Sequence, residues 1–312
     1  MRTATLSTHI RSRLLGGGKT GAMLALAFAA PAGFAQAPAA PPAEVNVTTT
    51  LLGGTVYGID GQGGRAAALI GPEGVFLVDA QFPAVTDKIV AAIKALTPAP
   101  IRLLVNTHVH GDHTGGNANF AKLGVTILGR PNLREQLVSP RPGANGQTPA
   151  AAPPEALPTV LYDAPFTVQL NGEEVQLITL QPSHTNGDTA VKFVKADVLM
   201  TGDVFRSEGM PNAAVVNGGD IKGLLAVMEQ FITLAGPNTK VVPGHGPVTN
   251  RAALVAHRDM IVTVRDRVAK LKREGKSLEE VQAAKPTADF DQKVGGTPQA
   301  VTNFVTALYN AA

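Results

Sequence analysis

From residue 45 onward, apolar positions recur with the two-residue period of strands or in short continuous runs, and glycines separate them. The stretches "VNVTTTLLGGTVYGI" (45–59), "RAAALIG" (65–71) and "GVFLVDA" (74–80) predict strands joined by glycine-rich turns. The period then changes. In "PAVTDKIVAAIKAL" (83–96), Ile89, Val90, Ile93 and Leu96 fall on one side of a helix, and "IRLLVNT" (101–107) is a buried type of strand. A compositional break follows in "SPRPGANGQTPAAAPPEALP" (139–158), the signature of a surface insertion, linker or lid. Strands resume with "TVLY", "FTVQL", "EEVQLITL", "TAVKFV" and "ADVLMTGD". Helices at 221–234 and 251–274 flank the strand "TKVVPG", and a short helix ends the chain. This order predicts an α/β protein built as two similar halves with their sheets packed together.

The first 44 residues follow a different rule. A basic stretch ending at Lys19, an apolar run from about Gly21 to Ala32 and the small residues of "GFAQAPAAPP" form the three parts of a secretory signal. Cleavage is expected after Ala35, because a cut after Ala37 would leave Pro38 directly behind the scissile bond. Residues 1–35 are thus read as a signal peptide, 36–44 as an Ala/Pro linker and 45–312 as the functional domain. The apolar run is short for a bilayer span, so a periplasmic or secreted protein without stable membrane association is expected.

Export alters the charge balance. The chain carries +3 overall, but Arg2, Arg11, Arg13 and Lys19 leave with the signal, and 23 basic residues then face 24 acidic ones. A mature charge near −1, with few aromatic residues, offers no general phosphate-binding surface, so nucleic acid is not an expected partner and a small-molecule substrate is. The sequence has no cysteine, which removes disulfides, thiolate metal ligands and cysteine nucleophiles together. Any metal must be held by nitrogen and oxygen, a set that suits zinc and also accepts manganese or iron.

Such a set is present. In "NTHVHGDHTGG" (106–116), three of the seven histidines, His108, His110 and His113, fall with Asp112 just after a predicted strand. Gly111 lets the chain turn there, and Gly115 and Gly116 allow a following helix to approach closely. His184 in "PSHTNGD", Asp203 in "TGD" and His245 in "VVPGHGP" also follow strands, so one edge of a sheet sandwich can collect all of them. Thr107, Gly116 and Asn186 read as turn formers. His257, on the long helix, reads as a surface or packing residue, and Arg206 as either a partner for a substrate carboxylate or a solvated side chain.

With "VDA" (Asp79), "THVHGDH", "SHTNGD", "TGD" and "GHG" in this order, the chain resembles the metallo-β-lactamase superfamily from about Val45 to its end. The resemblance implies a four-layer αββα sandwich and a site for two metal ions, expected to be Zn2+, with iron or manganese as other candidates. It places His108, His110 and His184 on one ion, Asp112, His113 and His245 on the other, and Asp203 between them. Asp112 is also the expected catalytic carboxylate, and Asp79 a support for the metal loop. Paired cations lower the pKa of bound water toward about 7, which makes a nucleophile for a carbonyl at neutral pH. The implied function is a zinc-dependent hydrolase of a β-lactam, lactone or thioester carbonyl, with the β-lactam first to be tried. Lack of cysteine excludes the cysteine-containing β-lactamases, and an acid at 203 resembles the thioester, lactone and phosphodiester hydrolases. The alternative is an oxidoreductase similar to the mononuclear-iron persulfide dioxygenases. The loops 139–158 and 204–220 are expected to set the substrate.

Overall fold

The computed structural model describes residues 45–142 and 147–312. The expected signal peptide, its cleavage point and the linker lie outside these residues. Strands β1 (Thr48–Gly53), β2 (Val56–Asp60), β3 (Ala66–Leu69) and β4 (Val75–Val78) form an antiparallel meander. Helix α1 (Thr86–Leu96) then crosses over to β5 (Ile101–Val105), which pairs parallel to β4. Helices α2 (Gly111–Thr114) and α3 (Asn117–Lys122) lead to β6 (Thr126–Gly129), and α4 (Pro131–Val138) leads toward the short β7 (Val160–Leu161). These seven strands lie in sequence order in one sheet.

The second half builds a five-stranded sheet from β8 (Phe166–Leu170), β9 (Glu173–Thr179), β10 (Thr189–Phe193), β11 (Val198–Met200) and β12 (Lys240–Val242). Helix α5 (Ile221–Leu234) joins β11 to β12, which pair in parallel. Helices α6 (Arg251–Arg273), α7 (Leu278–Ala283), α8 (Ala288–Val294) and α9 (Pro298–Ala311) close the chain.

Side-chain alternation builds the layers. Phe76 and Val78 of β4 share one core with Val191 and Phe193 of β10 and with Val198 and Met200 of β11, so the two sheets pack face to face. Val75 and Leu77, from the opposite face of β4, pack with Ile89 and Ile93 of α1. Leu199 of β11 and Val241 of β12 pack with Phe231 of α5 and Ile261 of α6. Helices therefore cover the outer face of each sheet, giving the αββα sandwich. Among the described residues, no helix is long and apolar enough to cross a membrane.

Two regions add to the expectation. The helix expected behind Gly115 and Gly116 is α3, whereas α2 and α4 had no period to announce them, because four to eight residues are too few to display one. The second half of the Ala/Pro insertion is also anchored. Ala152 N donates to Leu137 O, and Ala156 O, at the end of a 3-10 turn (Pro154–Ala156), accepts from Asn117 Nδ2 at 3.0 Å.

Candidate metal centre

All seven candidate ligands converge at one end of the sandwich. Three groups have donor atoms within 4.8 Å of one another: His108, His110 and His184; His108, His113 and Asp203; and Asp112, His113 and His245. The histidine-rich loop leaves the end of β5 and closes into the single turn α2, with His110 at its N-cap. Asn106 and Asn117 pin that loop from below. Asn117 Nδ2 donates to Asn106 Oδ1 at 2.8 Å, while Asn106 Nδ2 donates to Asn117 Oδ1 and to His113 O. Asp79, in the left-handed region at φ 61°, accepts from Thr107 N and Thr107 Oγ1, both at 2.7 Å, and its Oδ2 lies 2.7 Å from His113 Nδ1.

Hydrogen-bond partners fix which nitrogen of each ring is free. Thr107 Oγ1 already donates to Asp79, so it accepts from His108 Nδ1 at 3.1 Å. His184 Nδ1 donates to Asn212 O at 2.7 Å. Asn217 uses its amide hydrogens on Gln136 Oε1, so its Oδ1 accepts from His110 Nε2 at 3.1 Å. Each of the three rings therefore turns a bare lone pair inward. His108 Nε2 and His184 Nε2 lie 3.1 and 3.0 Å from His110 Nδ1, with no proton left to share. Three nitrogen lone pairs at that spacing repel unless a cation lies among them, so this donor set fits a metal ion. Burial, with the neighbouring His113 and His184, pushes His108 well below its ordinary pKa, and burial and His184 bring His110 down to about 4. Both rings are thus neutral, as ligands must be, at neutral pH.

The other half is rich in carboxylate. His113 Nε2 lies 3.3 Å from Asp203 Oδ1 and 3.6 Å from Asp112 Oδ2, and neither His113 Nε2 nor Asp203 Oδ1 has a hydrogen-bond partner despite burial. His245 Nε2 is 3.0 Å from Asp112 Oδ2 and 3.3 Å from Asp203 Oδ2. The Asp112 and Asp203 carboxylates raise His245 to about 9 against its burial, a measure of how strongly this corner favours positive charge. Asp203 also lies 3.8 Å from His184 Nε2, which places it between the two histidine groups.

Several supporting residues give no signal in the sequence. Asp188 accepts from Ser183 Oγ, Thr185 N and Thr185 Oγ1, knotting the loop that presents His184. Arg65 clamps the His245 loop by donating from its backbone to Gly244 O and from Nη1 to Gly246 O. Gly64 lies so close to His113 that a Cβ there would meet the ring at 2.0 Å. Gln136 bridges Asn217 and Asn186, so Asn186 takes part in a network beyond its turn. These partners come from distant parts of the chain, and an asparagine or arginine in a loop has no periodicity to reveal its target.

The remaining singled-out residues separate cleanly. His257 is buried on α6, edge-on to Phe205 with ring centroids 5.1 Å apart, and is a packing residue. Arg206 is half-buried, its Nε has no partner, and it lines a cavity of about 640 Å³ together with His245.

Residues 60–246 match the family model described as the metallo-beta-lactamase superfamily. The chain belongs to this superfamily. Among curated proteins, it is 30% identical over 170 residues to the 2,4-dinitroanisole O-demethylase subunit alpha of Nocardioides sp., covering 52% of this chain and 49% of that one. It is 28% identical over 163 residues to the hydroxyacylglutathione hydrolase of Nitrosococcus oceani, covering 51% and 54%. The chain thus spans about half the length of these relatives. The superfamily fold is shared with the solved metallo-beta-lactamase from Pontibacter korlensis, at TM-score 0.57 and 18% identity over 69% of this chain and 99% of that one. It is shared also with the sec-alkylsulfatase Pisa1 from Pseudomonas sp., at TM-score 0.65 and 19% identity over 86% and 50%.

Proposed function

We propose that this superfamily member is a zinc-dependent hydrolase of a carbonyl compound, exported by its leader to the periplasm or beyond. The observation that supports it most is the trio of inward lone pairs on His108, His110 and His184 facing a second, carboxylate-rich group across Asp203. In this reading His108, His110 and His184 hold one ion, Asp112, His113 and His245 hold the other, and Asp203 lies between them. When bound, paired divalent cations supply an acidified water and polarise the carbonyl.

The chain's own groups do the rest. Asp79 holds His113 Nδ1 and Thr107, so the ring cannot rotate its Nε2 out of the site. Asp112, partly open to solvent beside His245, is the carboxylate we assign to take a proton from the attacking water and return it to the leaving group. Arg206, with Nε unpartnered beside His245, orients an anionic part of the substrate in the smaller cavity.

Within the carbonyl compounds, the relative named hydroxyacylglutathione hydrolase favours a thioester or other ester over a β-lactam, since the likeness to a solved metallo-beta-lactamase extends to the fold alone. A mononuclear-iron oxidoreductase is the less favoured reading, because Asp112, His113, Asp203 and His245 form a complete second donor group. The zinc-loaded protein should turn over at least one of a chromogenic cephalosporin, an acyl-homoserine lactone and a glutathione thioester. No turnover of any, with zinc bound in full, overturns the reading. So does iron at one equivalent with sulfur-dependent oxygen uptake.

A further inference from the structure

Beside His110 opens a cleft of about 920 Å³, larger than the cavity on the His245 side. Its walls come from the two substrate-setting loops: the anchored half of the Ala/Pro insertion, at 149–153, and the segment 212–217. Helix α9 supplies a further wall through Asn303 and Ala307. Alanine, proline and valine dominate the surface. Among the described lining residues there is no carboxylate, the one guanidinium is Arg141, the amides of Asn212, Asn303 and Asn310 lie on the 212–217 and α9 sides, and none carries an aromatic ring apart from His110. Val215 and Val216 are 66% and 41% exposed on this wall, apolar surface that a ligand would remove from water. The amides nearest the metal centre, Gln136 and Asn217, are bonded to each other, Asn217 also to His110 and Gln136 also to Asn186.

From this lining we infer that the cleft takes an aliphatic chain, so that the substrate is a medium-chain acyl ester or thioester with its carbonyl at the His110 end. The inference rests on the hydrolase reading for its reaction and on the cleft alone for its ligand. A carbonyl-bound chain reaching from His110 along 149–153 would bury methylenes against alanine and proline side chains. The absence of a stacking ring disfavours an aromatic body. The two cavities divide the labour: the polar one beside Arg206 takes the anionic or leaving portion, and the apolar one takes the chain.

The test is kcat/KM of the zinc-loaded protein for p-nitrophenyl esters from acetyl through butyryl, hexanoyl and octanoyl to decanoyl. Burying each methylene should raise kcat/KM about fourfold until the cleft is filled, and a flat or falling series overturns the inference. Ala152→Asp and, independently, Val215→Asp place a carboxylate on the apolar wall and should flatten the series. An undiminished slope in both folded variants overturns the placement. Calorimetric binding of hexanol, octanol and decanol to the same protein separates the two readings. Graded alkanol affinity without hydrolysis of any ester overturns the hydrolase reading and upholds the cleft. Hydrolysis with no chain-length dependence and no alkanol binding does the reverse.

Discussion

Asn217 Oδ1 accepts a hydrogen bond from His110 Nε2 at 3.1 Å, across 107 positions of sequence. That bond decides that His110 points Nδ1, not Nε2, at the other two imidazoles. It also ties a candidate ligand ring to the segment that lines the larger cleft, through Gln136 on α4.

Replacing Asn217 by Ala removes the acceptor and frees the ring to adopt either tautomer. Groups that orient metal ligands typically change affinity by about 10- to 100-fold. Asn217→Ala should lower zinc affinity within that range, read by competition with a chromophoric chelator. Wild-type affinity would mean that the ring is oriented by its neighbours alone.

Asp79 is buried and serves three donors: Thr107 N, Thr107 Oγ1 and His113 Nδ1. Asp79→Ala leaves Thr107 N and His113 Nδ1 without an acceptor and Thr107 Oγ1 with His108 Nδ1 alone. A loss of about 3 kcal/mol in the urea unfolding of metal-free protein is expected, together with weaker metal binding. Stability within about 0.5 kcal/mol of wild type would show that the loop relaxes to find other acceptors.

Gly64 sits against the His113 ring, where a Cβ would lie 2.0 Å from it. The neighbouring backbone cannot retreat freely, because Gly64 N donates to Asp112 O and Arg65 N to Gly244 O. Gly64→Ala should therefore displace His113 and cost the carboxylate-rich half its metal, while the group around His108, His110 and His184 retains its own. Metal analysis of the dialysed variant checks this, and full occupancy of both halves would contradict it.

His257 gives the protein an acid sensitivity separate from the metal centre. Burial lowers its pKa from 6.5 to about 4, and its Nε2 has no hydrogen-bond partner. The unfolded chain binds the proton more readily, so this contribution is complete above pH 6.5 and is lost as pH falls toward 4, amounting to about 3 kcal/mol. His257→Leu should retain the packing against Phe205 and flatten the pH dependence of urea unfolding between pH 4 and 6.5. An unchanged slope would assign the acid sensitivity to other groups.

The strands and the longer helices were legible in the chain because their apolar periods extend over enough residues to be read. The helix read over 83–96 begins with a 3-10 turn at Pro83–Val85 before α1, a shift confined to its first turn. Helix α3 was signalled only by the glycines before it, and α2 and α4 were not legible, being too short for a period; tertiary contacts such as the Asn106–Asn117 pair hold this region. The seven candidate ligands were readable because imidazole and carboxylate at strand ends are rare and specific in chemistry. Arg65, Gln136 and Asn217 were not, and Asp188 was visible only as the end of "SHTNGD", since polar residues of this kind acquire a role only from what lies opposite them.

By itself, the sequence determined the alternation that makes two sheets with covering helices, and the donor types a metal centre would use. Only the tertiary structure decided the ring tautomers and the pairing of Asp203 with both histidine groups. It also turned an Ala/Pro segment and a valine-bearing loop into opposing parts of one apolar cleft. The physical reason is range. Periodicity and ligand chemistry are properties of neighbouring residues, whereas the direction of a lone pair or the wall of a cavity depends on groups far apart in the chain, 107 positions for His110 and Asn217 and 181 for Arg65 and Gly246.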